Sequence, residues 1–471
     1  MDNYHLTNNK KQETGNQKLE ARGRTCWSAL TIIFFILILS FLPLSPSHPF
    51  TLVFAENLYA SENKSLTLKD CIDIALRQSP LIKTSELDVE ASHESYKASR
   101  GAILPRLDLN AAYLKENQDV PYIPAQSAKI PAKFSDEIYS WNISLKIPVY
   151  EGGRLWGQIN VSGMEKEIQK LKMDFTTQDV VANITNTFNK LLQLKELRTA
   201  YQKSVEALER QRNNTELLVN TGRAANIELL RIDVQLANEK QNLIRTEEAI
   251  TRTRNTLAFL MGIQPSEIND ISGSLDAKEK LNPDNADELI KSRPDVASLI
   301  KKVEQTKIKI DIASAKRYPS VTLIGNYGSR AGTAMDGNEE VWETGVVVSL
   351  NIFDGSITSS EIKKEKILHE RAKEELRHAE LRARVEIENA LSLLQEARHR
   401  LEASQKAVAQ SEEALRIEEL KYKTGAGTIT DVLLAQSAMS LAQANYYQAL
   451  YDYNAAITEY KRATGTIEVK R

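Results

Sequence analysis

Catalysis needs nucleophiles, acids, bases or metal ligands gathered in one place, and this sequence offers few such groupings. Its six histidines, His5, His48, His93, His369, His378 and His399, are scattered. His369 and His378 fall on one predicted helix but nine residues apart, not at the four-residue step that turns two imidazoles towards one metal. Zinc spacings, phosphate-cradling glycine loops and nucleophile motifs do not occur. The chain therefore reads as no enzyme, with no catalytic, cofactor-binding or metal-ligating residue to nominate. Two acids do stand at marked places. Glu228 and Asp431 each follow a glycine turn, at Gly222 and Gly425, and fall in the first turn of a predicted helix, where a carboxylate complements the helix dipole.

The elements that would position these acids can be read from composition and pattern. With 471 residues, 42% of them hydrophobic, the chain can bury a large core. Lys+Arg 61 against Asp+Glu 63 leaves a formal charge of -2, so there is no basic excess for nucleic acid. Near the N-terminus, Lys10, Lys11, Lys18, Arg22 and Arg24 precede an apolar run from Ala29 to Leu39. With Val53-Phe54-Ala55 before Glu56, residues 1–55 read as a secretory signal, an uncleaved anchor being the alternative. Its removal takes five bases and three acids, leaving 56 against 60. Cys26 would leave too, so Cys71 has no intrachain partner, and neither cysteine suits a lipid anchor.

The rest is a duplication. Pro80, Pro105 and Tyr113 recur as Pro294, Pro319 and Tyr327, an offset of 214. Tyr150-Glu151-Gly152, Thr221-Gly222, Glu228-Leu229-Leu230 and Gly262 recur as Phe353-Asp354-Gly355, Thr424-Gly425, Asp431-Val432-Leu433 and Gly465, an offset of 203. The difference of 11 falls between Tyr113 and Trp141, where Pro121, Pro124 and Pro131 mark a longer loop. The first repeat is expected over 56–262, a linker over 263–284, the second repeat over 285–465 and a short tail over 466–471. Each repeat opens with a short helix, started by Thr67 or Asn285, and a second helix from Pro80 or Pro294.

Strands follow at about 106–114 and 138–149, and again at about 320–328 and 342–353. Tyr139, Trp141, Ile143, Leu145 and Ile147 alternate with Ser140, Asn142, Ser144 and Lys146, giving one oily and one wet face. Aromatic residues near the ends of strands of this length suit a membrane barrel, although a half-buried soluble hairpin shows the same alternation. In lipid, every backbone group must be paired, and four strands fall short of the smallest barrels, of about eight. Several copies must then share one barrel.

Long helical hairpins are expected over 153–261 and 356–464, since no proline occurs between Pro148 and Pro265 or after Pro319. Apolar residues such as Ile159, Ile168, Ile184, Phe188, Leu191, Val205 and Leu208 recur at helical steps. A helix from 153 to 221 would be about 100 Å long, and it can bury such a stripe only against other helices. Gly222 and Gly425 turn the chain back, so both tips point away from the strands.

In this order and spacing the residues resemble the TolC-like outer-membrane efflux proteins, or outer membrane factors. The likeness lies in Leu66-Thr67-Leu68 through Pro80, Ala98-Ser99-Arg100 before Leu104-Pro105, Arg293-Pro294, Tyr318-Pro319-Ser320, the two strand-to-helix turns, and Tyr422-Lys423-Thr424-Gly425 followed by Asp431-Val432-Leu433. The resemblance implies a mixed fold, a membrane β-barrel continued by an α-helical barrel. A homotrimer would supply twelve strands to the outer membrane and twelve helices to a periplasmic tunnel. Conduction would be passive, driven by an inner-membrane pump of the RND or ABC type through a periplasmic adaptor, for efflux or for one-step (type I) protein secretion. It assigns adaptor contact to the tips, Thr221, Gly222, Arg223, Thr424, Gly425 and Ala426. It assigns the periplasmic gate to Asp431 and Glu228, with Tyr422 nearby. Leu434 and Gly427 depart from the family's acidic and basic positions. The competing class is an exported, soluble coiled-coil adaptor or scaffold that never enters the membrane.

Overall fold

The computed structural model describes residues 65–125, 129–276, 286–335 and 339–469. The expected signal at 1–55 and the helix opener Asn285 lie outside the described residues. In chain order the elements are α1 (Leu68–Gln78), α2 (Pro80–Gly101), β1 (Arg106–Ile123), β2 (Lys133–Glu151), α3 (Arg154–Asn220) and α4 (Asn226–Met261). Then come α5 (Ala286–Ser292), α6 (Pro294–Ala315), β3 (Ser320–Ala331), β4 (Glu339–Ser349), α7 (Ile357–Lys423) and α8 (Ile429–Thr464). Both offsets run through the element bounds to the residue. Helix α2 maps onto α6 at 214, and α3 and α4 map onto α7 and α8 at 203.

Helix α1 begins where Thr67 and Asp70 form a capping box, each side chain bonding the other's backbone N–H. Pro80 and Pro294 open α2 and α6, where the missing N–H would be unpaired in any case. Helices α3 and α7 have 67 residues each, about 100 Å at 1.5 Å per residue. Beside the strands the packing order is α2, α3, α6, α7; towards the tips it is α4, α3, α8, α7. Between these levels α4 ends against the start of α2. A Cβ on Gly262 would lie 2.4 Å from the Gln78 carbonyl and 2.9 Å from Pro80 Cδ. Likewise α8 ends at Gly465 beside Arg293 and Pro294. Two short helices thus stack end to end alongside each long one.

The linker's described residues, 263–276, pack against the first repeat. Ile268 and Ile271 are buried in the core with Ile184, Phe188, Leu191, Leu257 and Met261. Leu66 pairs with it in parallel, its N–H donating to the Asp270 carbonyl at 2.9 Å and its own carbonyl accepting from Ser272 N–H at 2.9 Å. Cys71 is enclosed in the same core, and burial pushes its thiol up to about 12, with the charge of Asp70 adding to the effect.

The strands form one antiparallel sheet in the order β1-β2-β3-β4. Its register continues each face across all four strands. Leu109, Ile143, Tyr327 and Trp342 make one row on the oily side, and Asp108, Ser144, Asn326 and Glu343 make one on the other. The oily side is uncovered in the single chain, with Leu109 72% and Trp342 70% exposed. Among the described residues, no helix is long and apolar enough to cross a membrane.

Three strand expectations need correction. Strand β1 runs to Ile123 rather than 114, and β2 starts at Lys133 rather than 138, across register shifts at Lys115/Val120 and Pro121/Ile123. The polar run Lys115–Asp119 carries no alternation, yet strands pair through the backbone whatever the side chains. The 11 extra residues therefore lengthen strands as well as the loop. At the other end β4 stops at Ser349, not 353, and Ile352 and Phe353 stand 90% and 86% exposed.

Candidate functional site

The two hairpin tips are built alike. At the first, Arg223 N–H donates to the Leu218 carbonyl at 2.8 Å and Gly222 N–H to the Val219 carbonyl at 3.0 Å. At the second, Ala426 N–H donates to the Lys421 carbonyl at 2.8 Å and Gly425 N–H to the Tyr422 carbonyl at 3.1 Å. These close the last turns of α3 and α7 in the helix-ending pattern that needs a left-handed residue, and Gly222 and Gly425 supply it with φ of 70° and 76°. Thr221 and Thr424 return their hydroxyls to the carbonyls of Leu217 and Leu420, at 2.9 and 3.1 Å. Thr221, Gly222, Arg223, Thr424, Gly425 and Ala426 are all exposed.

Behind the tips, Ile232, Leu236, Val205 and Leu208 pack against Ile429, Val432 and Leu433, joining the two hairpins through an apolar core. Polar bonds bridge them on the same level. Tyr422 on α7 donates to Glu228 Oε2 on α4 at 3.2 Å, and Arg231 on α4 donates to the hydroxyl of Thr430 on α8. Burial pushes the Tyr422 phenol up, eased by the Thr215 hydroxyl and reinforced by the Glu228 charge. It is therefore a neutral donor at neutral pH.

Asp431 is placed differently. Its Oδ2 accepts from Thr428 Oγ1 at 2.7 Å and Thr428 N–H at 3.2 Å, closing a capping box at the start of α8. The Thr428 hydroxyl and N–H hold its carboxyl below the usual carboxylate range, and Lys421 lowers it further. Tyr422 and Glu228 thus meet, while Asp431 is committed within the chain to its own helix. Arg231 was not nominated from the sequence; its position one turn after Glu228, on the same face of α4, is the signal that could have found it. An open hollow of 590 Å³ between α2, α3 and α6, lined by Tyr96, Met164, Lys166 and Ile308, lies apart from the tips.

The family model for outer membrane efflux proteins matches residues 71–263 and 285–466, most of the chain and both of its repeats. The chain belongs to that family. As an outer membrane efflux protein it has relatives of differing extent. Nodulation protein T of Rhizobium leguminosarum bv. trifolii is 28% identical over 174 residues, which span 35% of this chain and 36% of that protein. Outer membrane protein TolC of Vibrio cholerae is 22% identical over 431 residues, 88% of this chain and 92% of that one. Among solved structures, the outer membrane protein VceC of Vibrio cholerae superposes with a TM-score of 0.72 at 19% identity, covering 84% of this chain and 96% of that chain. Family membership and this full-length likeness favour the membrane channel over the soluble scaffold. The efflux protein's sheet is its outer-membrane part, and its helices extend into the periplasm.

Proposed function

We propose that three copies of this efflux protein close one twelve-stranded barrel and conduct cargo passively through it and the helical tunnel behind. The carrying observation is the sheet itself. It is open at β1 and β4, it bears one continuous oily face, and lipid does not tolerate unpaired strand edges. The reading needs no catalytic residue, since the energy would come from an inner-membrane pump reached through a periplasmic adaptor. Cysteines placed in pairs along β1 and β4, with the inert Cys71 left in place, test it. A disulfide-linked species of three chains is expected on a non-reducing gel; dimers alone, or no cross-link at any register, would overturn it.

Adaptor contact is assigned to the exposed tip residues Thr221, Gly222, Arg223, Thr424, Gly425 and Ala426. The gate is assigned to Glu228 and Tyr422, which tie the first hairpin to the second, with Asp431 beside them. Threefold symmetry would bring three copies of each acid around one axis, narrowing the pore and favouring cations. Glu228→Ala with Asp431→Ala should raise single-channel conductance or relieve block by divalent cations in planar bilayers. Tyr422→Phe, which removes the phenol hydroxyl that reaches Glu228 and Thr215 and leaves the ring in place, should raise conductance on its own. If the bilayer recordings of these variants match the wild type, the acids serve only their helices.

A further inference from the structure

About three helical turns above Glu228, on the same helix, Glu239 is almost wholly enclosed, with 2% of its surface exposed. Its surroundings are poor in support for a charge. Gln235 on its own helix reaches Oε1 at a long 3.4 Å, and Oε2 has no hydrogen-bond partner among the described residues. Ser440 on α8 and Asn242 on α4, like Gln235, act to lower the carboxyl, but burial outweighs all three. From α3, Ser204 closes the site, bonded by Gln436 of α8 at 3.0 Å and 3.4 Å from the Ser440 hydroxyl. Glu239 therefore sits where α3, α4 and α8 meet.

The charged groups nearby are turned to other tasks. Lys240 pairs with Glu209 of α3 at 2.7 Å. Arg212 of α3 holds Asp233 and Glu216. The titratable group of α3 that senses Glu239 is Tyr201, whose phenol burial and the Glu239 charge push up while Arg245 of α4 opposes them. From α8 the facing groups are the neutral Ser440 and Gln436. No lysine, arginine or histidine is among the groups acting on the Glu239 carboxyl.

A buried carboxylate without a cation carries a desolvation cost that a neutral carboxylic acid escapes. We propose that Glu239 is a protonation-controlled latch: neutral, it lets α8 seat against α3 and α4, and ionised, it drives that seam apart. Burial raises its carboxyl above the usual range while the seam is packed. The packed arrangement is accordingly favoured at acid pH and loses support as pH rises through the raised value. The proposal rests on the seam alone; only its effect on conduction rests on the channel reading.

Hydrogen exchange on the full-length protein in detergent between pH 5.5 and 8.5, corrected for intrinsic rates, reads the seam directly. Segments 232–246 and 433–446 report on it, and neither contains a histidine. Their opening constant in the wild type should climb with pH, by up to about tenfold per unit within the titration window. Glu239→Gln, which keeps shape and removes the charge, should flatten that profile and leave the segments at least tenfold better protected at pH 8.5. Glu239→Leu should flatten it too, and carries the test should the first variant not assemble. Equal pH profiles in wild type and variants, flat or sloping, overturn the latch. Loss of conductance with the exchange result intact would instead count against the channel reading.

Discussion

Arg293 shows what a single side chain contributes. It is buried, donates to both oxygens of Asp295 at 3.0 and 2.8 Å, to Glu386 at 2.8 Å and to the Ala463 carbonyl at 2.9 Å. It thereby ties the start of α6 to α7 and to the end of α8. Burial would raise the Asp295 carboxyl, but Arg293's hydrogen bonds and charge outweigh it and hold the group below its usual range. That contribution is present above the ordinary carboxylate pKa and is lost as pH falls through the lowered value, the reverse of Glu239. Arg293→Ala leaves the half-buried Asp295 and Glu386 with only their longer contacts to Arg382, at 3.9 and 3.7 Å, and should destabilise the protein by about 1.5–3 kcal/mol, read from thermal or denaturant unfolding of the assembled protein. Arg293→Lys should recover part of the loss. Local chemistry of this kind was legible where partners are close in sequence: Thr67 lies three residues from Asp70, within one helical turn. The Arg293 cluster was not, because Glu386 and Ala463 are 93 and 170 residues away.

At the level of elements, two glycines with the same backbone conformation are expected to behave differently. Gly425, φ 76°, has open space where a Cβ would stand, so Gly425→Ala costs only the left-handed strain of about 1–2 kcal/mol. Gly262, φ 77°, has the Gln78 carbonyl in that space, so Gly262→Ala must also force the end of α4 away from the junction of α1 and α2. Outer-membrane levels should therefore hold for Gly425→Ala and fall for Gly262→Ala. A bulky residue at Gly425 should lower export while the protein remains in the membrane, as an adaptor-contact role requires; equal loss of export and protein would make that glycine a folding residue only. The long helices were legible because absent prolines and a recurring apolar stripe act over many turns: Ile159, Ile168, Ile184, Phe188, Leu191, Val205 and Leu208 are all buried. Strand ends were less so. Alternation records which side chain meets oil, and it falls silent over Lys115–Asp119 although the backbone pairing resumes at Val120.

The whole molecule depends on surfaces that a single chain leaves uncovered. The oily face of the sheet and its free edges are one set, and exposed Ile227, Leu230 and Val234 on α4, with Leu434 and Leu441 on α8, are another. Their positions follow helical steps, so they could be read from sequence as apolar but not as facing outward, which only the packing of the remaining stripes decides. The end-to-end stacking of α4 on α2 and of α8 on α6 bears on how such an assembly can move. The unbroken α3 and α7 carry a bend along their length through backbone hydrogen bonds. The stacked pairs meet only through side chains and chain ends at Gly262 and Gly465. Half of the struts are thus articulated at one height, so displacement at the tips can be absorbed at those joints before it reaches the strands, and the sheet can stay rigid while the far end changes shape.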